Sequence, residues 1–252
     1  MKQKRMKLIY FTIVLLIILF VTTIAFGIII QPPWTVYLLK SLYPQAIVHF
    51  DRDCSRKAVV LTFDDSVSFS TKDILDLLKH YNSTATFFLM GQKITNTTKR
   101  DKLPDDYQRL IDNGNDIGNH MASYSPACIM SKEEFKESTL YTDQLISQEF
   151  LKNNKRKWFR PASFIAWPYM FPIIKELNYT MVLGSVHSFD VQVPNTAYNL
   201  LNLVGRIQTG DIIILHDVSD LLEYIELFIV SLKQRGFEIV SMSNMLKICS
   251  IH

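Results

Sequence analysis

Cysteine is scarce in this 252-residue chain: Cys54, Cys128 and Cys249 are the whole set, and no two stand at C-x-x-C spacing. A zinc site built on thiolates is therefore not expected, because it needs cysteines paired at short intervals. In an oxidising compartment three cysteines allow one disulfide and one free thiol, and the sequence leaves the pairing open. Low-complexity tracts and internal repeats are also missing, so neither a disordered chain nor a repeat array is expected. A surplus of one charge is lacking as well, once position is considered. The formal net charge is +3, yet Lys2, Lys4, Arg5 and Lys7 crowd the first seven positions, where there is no acid. Without them 23 basic residues face 24 acidic ones, which is no footprint for nucleic acid. The cluster Lys152, Lys155, Arg156 and Lys157 reads as a solvated loop.

Charge is absent altogether from Leu8 to Ile30. As a helix rising about 1.5 Å per residue, that run crosses a hydrocarbon core of roughly 30 Å. It is longer than the apolar core of a signal peptide, and FGIIIQPPW offers no small-x-small cleavage site, which favours an uncleaved signal-anchor. The basic flank precedes the run and the next basic residue is Lys40, so the positive-inside bias leaves the N-terminus in the cytoplasm. The expected layout is a basic cytoplasmic tail (1–7), a transmembrane helix (8–30), a stem (31–54) and a luminal or extracellular domain at the cell surface (55–252). Sequons at Asn82, Asn96 and Asn178 agree with that side of the membrane but are short enough to recur by chance.

Apolar residues make up 48% of the chain, enough for a sizeable core. Lys57–Phe63 is a β-branched run suited to a buried strand, and TKDILDLLKHYN follows with helical spacing behind Thr71 as a cap. Thr84–Met90, Thr180–Ser185 and Gly210–Asp217 read as further strands, YQRLIDNGN as a helix ending near Gly114, LLEYIELFIVSLKQRG as an amphipathic helix, and FEIVSMS as a last strand. Strands alternating with helices imply a parallel sheet, open or closed into a barrel. Asp64 and Asp65 close the first strand, Asp190 follows the TMVLGS strand, and His216-Asp217 close IIIL. Strand ends of such sheets share one rim, where active sites are built.

Taken in order, these segments resemble the polysaccharide deacetylase family, the NodB-homology domain shared with chitin and peptidoglycan deacetylases. The resemblance covers roughly Arg56 to Ile248. KAVVLTFDDSVSFSTKDILDLLKHYN matches the opening strand, aspartate pair and helix. DIGNHMASYSP stands at the H-[ST]-x-x-H-P motif, FRPASF at the arginine turn, SVHSFDV at the V-D-P-x-D-W segment and GDIIILHD at the terminal histidine strand. The resemblance implies a distorted (β/α) barrel and a divalent ion, zinc above all, that polarises an N-acetyl oxygen and acidifies a bound water. It implies Asp64 as catalytic base, Asp65 and His120 as metal ligands, and Arg160 as the ion-pair partner of the base. It further implies His216 as the acid that protonates the leaving amine, Asp190 as the carboxylate that orients it, and backbone near Ala162-Ser163 for the oxyanion. The adjacent Asp64 and Asp65 are expected to divide their roles by pointing in different directions from a strand end.

The departures are as specific as the matches. Tyr124 takes the third ligand's place four residues after His120, as a possible substitute ligand. A phenol with a pKa near 10 coordinates at neutral pH only if the metal deprotonates it. Ser66-Val67 replace Gly-Pro, Ala162 replaces a proline, Val191 replaces the tryptophan that walls the acetyl pocket, and His187 stands where an aspartate is usual. A lone histidine is more often packed than ligating. The reading is a membrane-anchored, metal-dependent hydrolase removing N-acetyl groups from N-acetylglucosamine polymers, chitin or peptidoglycan-like. Its metal is weakly held or absent and its activity correspondingly reduced. The alternative is a catalytically inactive deacetylase fold that binds glycan or scaffolds the envelope, and a small acetylated molecule is a third substrate class.

Overall fold

The computed structural model describes residues 2–30, 32–98, 104–149, 157–163, 165–191, 200 and 203–249. Of the basic cluster, Lys152, Lys155 and Arg156 lie outside the described residues. The chain divides into two units, Met1–Leu42 and Tyr43–His252. In the first, the charge-free run forms helix α1 (Lys2–Ile30), followed by α2 (Pro33–Leu42), which opens on a proline as a first helical turn permits. Gln3–Thr23 is long and apolar enough to cross a membrane by length and composition. Its Thr22 and Thr23 hydroxyls donate to the Leu19 carbonyl at 2.9 and 2.7 Å, so these polar groups are satisfied within the helix.

The second unit begins earlier than the expected stem boundary. Ile47 bridges to Val182, Phe50 is fully buried, and Cys54 is bonded to Cys249, so 43–54 pack into the domain instead of forming a spacer. The elements that follow are β1 (Ala58–Ser66), α3 (Thr71–His80), β2 (Thr86–Leu89), α4 (Gly91–Thr98), α5 (Pro104–Asp112), β3 (Asp116–Asn119), α6 (Lys132–Glu149) and β4 (Lys157–Phe159). After them come α7 (Met170–Glu176), β5 (Tyr179–Met181), β6 (Val186–His187), β7 (Ile212–His216), α8 (Leu222–Gln234), β8 (Glu238–Val240) and α9 (Met242–Ile248).

Every pairing in the eight-stranded sheet is parallel, in the order β5-β4-β3-β2-β1-β7-β6, with β8 on the first half of β1. Its two edges, β5 and β6, are joined by only Val182–Ser185. A sheet whose edges are successive pieces of chain must curl until they meet, which produces the expected distorted barrel.

The apolar run in β1 follows from burial of both faces. Val59, Leu61 and Phe63 pack with Ile74, Leu75 and Leu78 of α3 and with Ile225, Phe228, Ile229 and Leu232 of α8. Ala58 and Val60 pack inward with Phe88, Trp158, Ile212 and Met242. Gly118 makes room for that inner cluster, since a Cβ there would lie 2.5 Å from the Phe88 ring.

Two expected strands end early. TMVLGS is strand only through Met181, the end of β5, with Gly184 (φ 88°) in the turn before β6, and the FEIVSMS strand stops at Val240. There the backbone N–H groups of Ser241, Met242 and Ser243 meet Thr84 Oγ1, Thr86 Oγ1 and Asp116 Oδ2 at 2.9, 3.0 and 2.5 Å. These side chains satisfy the otherwise orphaned donors at a helix start, so α9 begins where the strand was expected to run on. Thr71, expected as a cap, is the first residue of α3 and sends its hydroxyl to Asp217 instead.

Candidate active site

The inward file of β1 continues from Val60 through Thr62 to Asp64, which is paired in register with His216 on β7. Simple alternation would send Asp65 to the opposite face. Instead the ladder to β2 shifts between Phe63 and Ser66, and Asp65 takes a left-handed conformation (φ 57°), which aspartate tolerates better than most residues. Both carboxylates therefore reach one histidine. His120 Nε2 lies 3.8 Å from Asp64 Oδ2 and 3.6 Å from Asp65 Oδ1. This corrects the expectation that the two acids diverge.

Arg160 follows β4 and crosses the barrel to β1. Its Nη1 donates to Asp64 Oδ1 at 2.6 Å and to Thr62 Oγ1 at 2.7 Å, Nε donates to the Val182 carbonyl, and the guanidinium covers the Phe88 ring at 4.2 Å. The residue is 1% exposed. Burial by itself would raise the Asp64 pKa, but the charges of Arg160, His120 and His216 outweigh it and hold this acid below its ordinary value. Asp65 goes the other way: burial and the charge of Asp64 raise it, against the opposing pull of His120, His216 and Lys93.

His120 is oriented through its other nitrogen. Nδ1 lies 2.9 Å from the Arg160 carbonyl, which can only accept, so the proton sits on Nδ1 and Nε2 faces the carboxylates. Asn119 braces the turn: its Oδ1 accepts the Met121 N–H at 2.8 Å, while its Nδ2 reaches the Thr139 carbonyl and the Tyr179 hydroxyl.

Opposite this group, His216 Nδ1 meets Asp190 Oδ1 at 2.6 Å. Burial opposes a charge on the ring, but the hydrogen bond and charge of Asp190, with Asp64 and Asp65 beyond, push His216 up to about 9. Asp190 is held below its usual range, since the bond to His216 outweighs burial. His187 accepts the Phe189 N–H on Nδ1 at 2.9 Å, and its ring centre lies 6.0 Å from that of His216. Burial and the His216 charge lower it to about 4, so it is neutral and packed at physiological pH.

The loop after the aspartates has an anchor not read from the sequence. Asp217, fully buried, accepts from the Ser68 hydroxyl at 2.6 Å, the Ser68 N–H at 3.2 Å and the Thr71 hydroxyl at 2.5 Å. The signal was its place directly after His216. Ser66 and Val67, which replace Gly-Pro, are both buried. Val191 is 56% exposed, and Ala162 is buried beside Ser163, which is left-handed (φ 76°).

A divalent ion is tested by its donors. Two ligands about 2.0–2.1 Å from a tetrahedral zinc stand roughly 3.3–3.5 Å apart. The 3.6 Å between Asp65 Oδ1 and His120 Nε2 fits such a pair, and the Nδ1 hydrogen bond is the usual support of a ligating histidine. Tyr124, by contrast, is 59% exposed and lies beside Lys93 Nζ, 5.8 Å from its ring centre. Among the described residues no three His, Cys, Asp or Glu side chains gather in metal-binding geometry. The donor set is a fitting pair without a third member of those types.

The family model for polysaccharide deacetylases matches residues 51–182, about half the chain and all of β1 to β5. The chain belongs to the polysaccharide deacetylase family. Among its relatives is a peptidoglycan-N-acetylglucosamine deacetylase of Bacillus cereus, 28% identical over 223 residues, covering 83% of this chain and 98% of that protein. Solved structures carry the same fold. Bacillus subtilis PdaA, a family 4 carbohydrate esterase, superimposes with a TM-score of 0.70 at 24% identity, over 83% of this chain and 89% of that one. BA3943 of Bacillus anthracis is described as a CE4 family pseudoenzyme, and a mutant of it with restored activity matches at a TM-score of 0.70 and 24% identity, over 81% and 71% of the two chains. The proteins this chain resembles thus include both a named deacetylase and a pseudoenzyme.

Proposed function

We propose that this chain is a membrane-anchored deacetylase of cell-surface polysaccharide, acting on N-acetylglucosamine polymers of the peptidoglycan or chitin type with a weakly held divalent ion. The observation that carries the reading is the opposed protonation of two facing groups: Asp64 held as a carboxylate, His216 held as an imidazolium. Environments that push two titratable groups apart define a base and an acid at neutral pH.

Asp65 and His120 would hold the ion, which when bound supplies electrophilic activation of the acetyl group and a more acidic water. The remaining work belongs to the chain. Asp64 Oδ2 takes the proton of the attacking water, while Arg160 keeps Oδ1 engaged and the carboxylate charged. His216, oriented through Nδ1 by Asp190, delivers its Nε2 proton to the departing amine. Asp217 holds the Ser68–Thr71 loop that follows the two acids, and backbone near Ala162-Ser163 would receive the oxyanion.

The anchor reading rests on α1 and its basic flank, with the N-terminus cytoplasmic and the domain outside. The Cys54–Cys249 disulfide supports that side, since such bonds persist in oxidising compartments. The deciding experiment incubates the protein with zinc or cobalt and chitin oligomers or peptidoglycan and measures released acetate. No acetate above the Asp64→Asn control rejects catalysis. The exposure of Tyr124 favours the second reading, a non-catalytic glycan-binding or scaffolding domain. Sugar binding by metal-free protein, without acetate release, would establish it.

A further inference from the structure

Helix α2 has two sides of different kind. Trp34, Tyr37, Leu38, Ser41 and Leu42 are all exposed, and their i, i+3, i+4, i+7, i+8 spacing lines them along one face. Four of the five are large and apolar, at 56, 66, 49 and 61% exposure. Val36, on the opposite side of the helix, is buried. A helix lying on a domain in water turns its polar side outward. Helix α2 instead keeps Val36 covered and presents an aromatic and aliphatic stripe. Contiguous apolar exposure of this kind marks a surface with a partner. Charge narrows the choice of partner, because α2 carries no acidic residue and one lysine, Lys40. Nothing on it repels phosphate.

We infer that α2 is an interfacial helix: its Trp34, Tyr37, Leu38 and Leu42 face beds in the lipid headgroup layer of the membrane that α1 crosses. This rests on the reading of α1 as an anchor. Chain length then sets the depth. The charge-free run Leu8–Ile30, at about 1.5 Å per residue, is roughly 34 Å long against a hydrocarbon core of roughly 30 Å. Once inserted, it ends at or just past the hydrocarbon edge. Pro33 stands three residues beyond Ile30, which is at most about 11 Å of fully extended chain. The headgroup layer is itself about 6 Å deep on each side. Helix α2 therefore starts within that layer or directly beside it. Tryptophan and tyrosine concentrate at this depth, because each joins an apolar ring to one polar group that stays wet. A short helix with an apolar face lying in the plane of the layer gains from burying that face. It also takes up the segment before Tyr43, where a free stem was expected.

The test reconstitutes the full chain in phosphatidylcholine–phosphatidylglycerol vesicles whose acyl chains carry bromine either near the ester carbonyls or near the chain ends. Bromine quenches tryptophan emission on contact. The share of Trp34 is the difference between wild type and Trp34→Phe, which leaves Trp158 and Trp167 in place. Shallow bromines are expected to remove most of the Trp34 emission and deep ones little of it. Leu38→Glu, which sets a charge on the exposed face, is expected to lose most of that quenching. Trp34 emission that neither lipid quenches, in a chain that resists alkaline carbonate extraction, overturns the inference and leaves the anchor standing. Deep quenching stronger than shallow, or equal quenching in wild type and Leu38→Glu, overturns it as well. Blue-shifted, unquenched Trp34 emission together with cross-linked pairs gives the face to a second copy of the chain and likewise overturns it. Extraction of the wild-type chain by carbonate overturns the anchor reading, and this inference with it.

Discussion

Asp190 grips His216 at two points, with Oδ1 2.6 Å from Nδ1 and Oδ2 accepting the His216 backbone N–H at 2.7 Å. The carboxylate therefore sets the ring's tautomer, its direction and its proton affinity at once.

The pH dependence of stability follows from this pair. The His216 pKa, about 9 in the folded chain against 6.5 for the ordinary group, means stability fully present below 6.5 and lost as pH rises through 9. At 1.36 kcal/mol per pKa unit the effect is on the order of 3 kcal/mol. Asp190, lowered when folded, adds stability above its ordinary value of 3.8 that is lost as pH falls through its folded pKa. Thermal unfolding of metal-free protein is expected to weaken between pH 6.5 and 9, and His216→Asn to flatten that slope.

In any activity, the same proton must be present on His216 for the amine to leave. The alkaline limb of the rate profile is expected near pH 9, and Asp190→Asn is expected to move it downward. His216→Asn is expected to lower turnover by about 10²- to 10⁴-fold, the usual contribution of a general acid. Acetate release measured across pH checks both.

Asp64→Asn is expected to abolish turnover, because an amide takes no proton from water. It also leaves the Arg160 guanidinium buried without its counter-charge. Removing the arginine leaves the opposite charge behind: Arg160→Leu is expected to destabilise by about 3–5 kcal/mol, the range for breaking a buried pair from one side. Denaturant unfolding of the two variants separates the catalytic loss from the structural one.

Tyr124→His offers a nitrogen donor four residues after His120. Tyr124 is exposed, so the substitution is expected to leave stability within about 0.5 kcal/mol. Zinc affinity is expected to rise at least tenfold if the loop lets the new ring turn toward Asp65. Calorimetric titration reads the change.

The Cys54–Cys249 bond spans 195 residues of sequence. A loop of that length implies up to about 5 kcal/mol of stabilisation through the unfolded chain. Unfolding of the reduced protein is expected at lower temperature, and Cys54→Ser is expected to lose the dependence on reductant. Cys128, half-buried and free, is not expected to contribute.

Much of this molecule was legible in one dimension. The inner and outer files of β1, α3 and α8 follow from periodicity, because both faces of a parallel strand and one face of a helix must be buried. The order of the motif segments likewise pointed to the deacetylase fold, and Asp64, Asp65, His120, Arg160, Asp190 and His216 are brought to one rim. Boundaries were less legible where the deciding partner was remote. The last strand ends because Thr84, Thr86 and Asp116 cap α9, and 43–54 join the domain through contacts with Val182 and Cys249.

What the sequence by itself determined is the inventory: a charge-free N-terminal run, buried parallel strands, and acids and histidines at their ends. Only the tertiary structure decided how those residues meet. A register shift and a left-handed Asp65 turn two neighbouring acids onto one histidine. Curling of the sheet carries Arg160 across the barrel to Asp64. Each depends on groups distant in sequence coming within a few ångströms, and local periodicity carries no record of that.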